Sequence, residues 1–147
     1  MKKQGKKMRE EKKCWRDNMV VFDTESLLIF YLGEKGADVV ENLLEKIARK
    51  EITGLINIVN LTEFYYILYR KDPSIAEEKV RNLKAFGIKI APASDSIWKE
   101  AGKIKAKYAI PLADAFAAAT AIIKKDKLVV GMDRDFSKIN IPLIRVR

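Results

Sequence analysis

Short apolar runs alternate with longer amphipathic segments along this chain, and that alternation leaves few ways to fold it. Met19–Phe22, Gly54–Val59, Ile88–Ala91, Leu128–Val130 and Ile141–Val146 have the length and polar boundaries of buried strands. Pro142 places the last of them at a sheet edge. Between them lie helical segments. Ser26–Leu32 is broken by Gly33 and Gly36, and Ala37–Lys50 carries Val40, Leu43, Leu44 and Ile47 on one face. Asn60 is positioned to cap Leu61–Lys71, with Glu63 three residues on, and Asp72-Pro73 ends that helix. Ser74–Phe86 is closed by Gly87. A further helix, capped by Ser94 or Asp95, runs to about Tyr108 with Ile97, Trp98, Ala101 and Ile104 on one side. Pro111 opens the alanine-rich Leu112–Lys124. The pattern predicts an α/β fold: a three-layer α/β/α domain whose central, mostly parallel sheet has four to five strands, with helices on both faces. Such sheets bind ligands beyond the carboxyl ends of their strands.

Two absences narrow the chemistry. The 147 residues contain no histidine, which excludes an imidazole base, a Ser-His-Asp triad and a histidine metal ligand. The single cysteine, Cys14, excludes an internal disulfide and a cysteine-rich zinc site. A metal would be held by oxygen, which favours Mg²⁺ or Mn²⁺, with Ca²⁺ as the outside case. The apolar share of 48% is enough for the core of one domain. The net charge of +9 is concentrated at the start: residues 1–18 carry eight Lys/Arg and three Asp/Glu, leaving 21 and 17 for residues 19–147. The sequence therefore divides into a basic N-terminal extension, 1–18, and a domain, 19–147; Met19 would serve equally as a first residue. Asp23 and Glu25 interrupt the apolar stretch that follows the basic start, which argues against a signal peptide, and no run is long enough to cross a membrane. A cytoplasmic protein is expected.

The acids at the strand ends are the candidate site. Asp23 follows the first strand, Glu63 opens the helix after the second, Asp114 opens the helix before the fourth, and Asp133 and Asp135 follow the fourth. Each has a structural explanation, since caps and turns use these residues and helix N-termini favour carboxylates. Asp114, set among Leu112, Ala113, Ala115, Phe116 and Ala117, is expected to be partly buried, and a buried carboxylate is paired, protonated or bound to metal. Several such acids together would repel one another without a cation. Carboxylates without histidine favour Mg²⁺ or Mn²⁺, and a basic protein favours a nucleic-acid phosphodiester as substrate.

The segments VVFDTESLL, VNLTEFYY, LADAFAAATA and LVVGMDRDF, in that order, resemble the PIN-domain ribonucleases, particularly VapC-type toxins of toxin–antitoxin pairs. The resemblance covers Met19 to Arg147. It implies a metal-dependent endoribonuclease whose catalytic and metal-binding acids are Asp23, Glu63 and Asp114, with Asp133 ahead of Asp135 as the fourth. It also implies a cofactor of Mg²⁺ or Mn²⁺ and a role for Thr24 in orienting Asp23 or phosphate. The implied partners are an RNA substrate, a cognate antitoxin and a second copy of the chain. Phe64 and Leu68 are expected in the core, with Tyr65 and Tyr69 open to either side. Glu25 departs from the family pattern, and so does Gly131, where a threonine often precedes the fourth acid. Competing readings are an RNA-processing nuclease and a catalytically degenerate nucleic-acid-binding module. An aspartyl phosphatase ranks last, because Glu25 stands where a second Asp is wanted.

Overall fold

In a computed structural model, residues 19–131 and 135–146 are described, the side chain of Asp135 excepted. Strands β1 (Met19–Phe22), β2 (Thr53–Asn57), β3 (Lys89–Ala91), β4 (Lys127–Val130) and β5 (Leu143–Arg145) form one sheet in the order β3-β2-β1-β4-β5. Every pairing is parallel, with Val20 opposite both Gly54 and Lys127. The six α-helices among the described residues are α1 (Thr24–Tyr31), α2 (Ala37–Ala48), α3 (Ile58–Lys71), α4 (Pro73–Phe86), α5 (Asp95–Lys107) and α6 (Leu112–Lys124). A 3₁₀ turn at Asp135–Lys138 leads into β5, which takes the edge position that Pro142 implied.

Successive strand residues point to opposite faces, and both faces are buried. Val21, Leu55, Leu128 and Val130 pack with Ile97, Ala101, Ile104 and the alanines of α6. Val20, Phe22, Ile56 and Val129 pack on the other side with Leu27, Val40, Leu44, Phe64, Leu68 and Leu83 from α1 to α4. This is the three-layer arrangement. Gly54 sets the approach of α2 to the sheet: a Cβ there would lie 2.4 Å from Ile47 Cδ1. Among the described residues no helix is long and apolar enough to cross a membrane.

Three local readings are corrected. β2 ends at Asn57 rather than Val59, and Asn57, not Asn60, caps α3, its side chain accepting from the Val59 amide at 2.9 Å. Helix α3 thus begins three residues early, so Asn60 lies inside it and Glu63 lies beyond its first turn. Trp98 is not on the apolar face of α5; it is exposed, and its indole donates to Asp95.

Candidate functional site

Asp23 sits where β1 ends, its amide bonded to the Val129 carbonyl of β4 at 3.0 Å. It caps α1: Oδ1 accepts from the Ser26 amide at 2.8 Å, and the Ser26 hydroxyl donates to the Asp23 carbonyl at 3.0 Å. The capping reading of this residue is therefore correct, yet it does not exhaust it. The side chain is buried, and desolvation is the largest influence, pushing its carboxyl up to about 7. The nearby charge of Glu25 adds to that rise, whereas the Ser26 and Gly131 hydrogen bonds oppose it.

Asn60 joins the acid-bearing segments. Its Nδ2 donates to the Thr24 hydroxyl at 3.2 Å and to the Ala113 carbonyl at 3.0 Å. The Thr24 hydroxyl in turn donates to the Asn60 carbonyl at 3.3 Å. Thr24 follows Asp23 and Ala113 precedes Asp114, so one buried amide clasps the turn after β1 to the start of α6. Glu63 is three residues further along the same helix, about one turn, and half-buried. Asp114 is in the first turn of α6, partly buried as expected, with Oδ2 shut off from solvent. Sequence reasoning missed Asn60. The signal was present: Asn60, Phe64 and Leu68 fall at i, i+4 and i+8, which places an amide on a core-facing stripe. Phe64 and Leu68 are buried, while Tyr69 is exposed and Tyr65 half-buried, their rings 5.7 Å apart.

Asp133 lies outside the described residues, as does the side chain of Asp135. Among the described residues no three acidic side chains converge closely enough to form a ready metal cage. The donors nonetheless suit a hard dication. They are oxygens throughout, and Asp23 is held toward its neutral form by burial, which a bound cation would reverse. Asn60 Oδ1 is also a buried acceptor with no hydrogen-bond partner among the described residues. Gly131, the residue after β4, is covered by Glu25: a Cβ on Gly131 would lie 2.6 Å from Glu25 Cγ and 2.7 Å from its Oε1.

Residues 20–142 match the PIN domain family. The chain belongs to the PIN-domain family. Its sequence is 27% identical over 138 residues to Ribonuclease VapC2 of Methanocaldococcus jannaschii, covering 84% of this chain and 91% of that protein. Its fold resembles VapBC2 from Rickettsia felis bound to a DNA fragment from their promoter, with a TM-score of 0.71 and 20% identity over 86% of this chain and 98% of that one. DNA-bound VapBC from Salmonella typhimurium gives a TM-score of 0.70 and 16% identity over 88% and 98% of the two chains.

Proposed function

We propose that this PIN-domain protein is a divalent-metal-dependent endoribonuclease acting as the toxin of a toxin–antitoxin pair. The observation that carries the reading is the clasp of Asn60 on Thr24 and Ala113. It gathers the Asp23 turn, the Asp114 turn and the helix of Glu63 beyond the carboxyl ends of β1 and β2. The similarity to a ribonuclease VapC supports RNA as substrate, and the net charge of +9 supports a polyanion.

Asp23, Glu63 and Asp114, with Asp133 or Asp135, would hold Mg²⁺ or Mn²⁺. When bound, that ion supplies charge stabilisation to the phosphodiester and acidifies water for hydrolysis. The protein's own part is placement. Ser26 fixes one Asp23 oxygen, leaving the carboxyl oriented from the end of β1. Asn60 holds the two acid-bearing turns in register, and the buried setting of Asp23 limits competing water. A cognate antitoxin would cover the shallow apolar cleft of Ile58, Leu61, Tyr65 and Val80 beside exposed Tyr66 and Tyr69. A homodimer and a cytoplasmic location belong to the same reading.

The test is cleavage of labelled total tRNA and a structured RNA with Mg²⁺ or Mn²⁺, then with EDTA, for wild type beside Asp114→Asn. Cutting that requires the metal and is lost in the variant is the expected result. Cutting that survives EDTA or the substitution overturns the site. No cutting by wild type, with salt-sensitive RNA binding retained, favours the binding-module reading.

A further inference from the structure

Glu25 and Gly131 are the two places where the sequence departs from the family pattern, and the structure puts them in contact. The backbone does not require glycine at 131, because its φ lies outside the left-handed region that Gly33, Gly36 and Gly87 occupy. What the missing side chain leaves is room. The volume that a Cβ would fill is taken by Glu25, whose Cγ, Cδ and Oε1 all come within 2.6–2.7 Å of the Cβ position. Real Cβ contacts do not approach so closely, so any larger residue would displace the Glu25 carboxylate. Glu25 is half-buried, near enough to Asp23 for its charge to be felt there, and it lies against the residue that opens the Asp133 segment.

We propose that Glu25 is an additional carboxylate ligand of the divalent-cation site, seated in the space that Gly131 leaves at the end of β4. The proposal rests on the metal-dependent reading above and extends it to a residue outside the family's acidic set. A negative charge in the first turn of α1 also suits the helix dipole, but that role would be served at the solvent-facing side of the turn. It does not account for a Glu25 side chain seated over Gly131, the residue after β4. A carboxylate needed at the cation does account for it, because the cradle fixes one oxygen donor beside Asp23 from the β4 side.

The experiment is Mn²⁺ binding to the full chain without RNA, by calorimetry or by the spin-resonance signal of free Mn²⁺. Unfolding temperature in EDTA is recorded in parallel. Glu25→Gln is expected to weaken Mn²⁺ binding about 10- to 100-fold. Gly131→Ala is expected to do the same by expelling the carboxylate, and both should unfold near the wild-type temperature. Wild-type Mn²⁺ affinity in Glu25→Gln, with binding lost in Asp114→Asn, overturns the role of Glu25 and leaves the metal site standing. Wild-type affinity in both variants overturns the metal-site reading itself. Should Gly131→Ala fail to fold, Glu25→Gln alone decides.

Discussion

Asp23 shows how one side chain serves structure and chemistry together. It caps α1 through Oδ1 and is buried at the end of the central strand. Its carboxyl, normally near 3.8, is raised to about 7, chiefly by desolvation. Between these values the folded chain binds a proton that the unfolded chain does not. Stability from this group is therefore greatest at the acid end and falls as pH rises from about 4 through about 7, by on the order of a few kcal/mol. Asp23→Asn keeps the cap, since Asn caps as well as Asp, and should flatten that slope. Urea midpoints in EDTA from pH 4.5 to 7.5, wild type against variant, check it; equal slopes would contradict it. Added Mn²⁺ should shrink the wild-type slope, because cation and proton compete for the carboxylate. Asn60→Leu should cost about 1–3 kcal/mol, because it removes the amide that donates to the buried Thr24 hydroxyl and the part-buried Ala113 carbonyl. It should also slow cleavage while the acids remain, as single-turnover assays on tRNA would show. Asp23 and Asp114 were legible from sequence because an acid in an apolar stretch is conspicuous. Asn60 was not, because Asn followed three residues later by Glu imitates a helix start.

Between elements, the strands were readable and their ends were not. A buried parallel strand is a solid apolar run, so β1, β3 and β4 emerge within a residue or two of their bounds. The β2–α3 junction did not emerge, because Ile58 and Val59 prolong the apolar run after the strand has ended at the Asn57 cap. Moving the helix start upstream takes Glu63 out of the first turn and removes the capping-box explanation for it. Trp98 was misplaced because spacing alone cannot say whether a ring beside Ile97 faces the core. Where the packing is tight the consequence is measurable. Gly54→Ala drives a methyl against Ile47 and Ile88 and should destabilise the fold by about 1–3 kcal/mol. Chemical denaturation would report it, and an unchanged midpoint would mean that Ile47 can swing aside without strain.

Across the whole molecule, charge and topology divide the labour. On the proposed reading, the sheet positions the acids and the basic excess would attract a polyanion at a distance. Removing residues 1–18 removes +5 of the +9 and should weaken RNA binding most at low salt, giving a shallower salt dependence. Fluorescence anisotropy between 50 and 200 mM salt, roughly the range over which such contacts are lost, checks this. A salt slope that does not change would assign the contacts to residues 19–147. Histidine-free composition and a mostly parallel sheet between two helix layers were legible because they are global properties, whereas the spatial order of the strands was not read from the sequence. The contact of Glu25 with Gly131 was not, because each residue by itself reads as a defect.

The strand order also dictates when the site can exist during synthesis. β1 is made first, but one of its two neighbours, β4, is among the last elements to emerge; Val20 waits for Lys127, and the Asp23 amide waits for the Val129 carbonyl. A ribosome-bound chain that has reached α5 has an open sheet edge at β1 and no β4 acceptor for the Asp23 amide. Closure depends on contacts distant in sequence, which form slowly. On the proposed reading, the nascent chain would gain its acid site only when nearly complete, and the interval would give an inhibitor translated nearby time to accumulate.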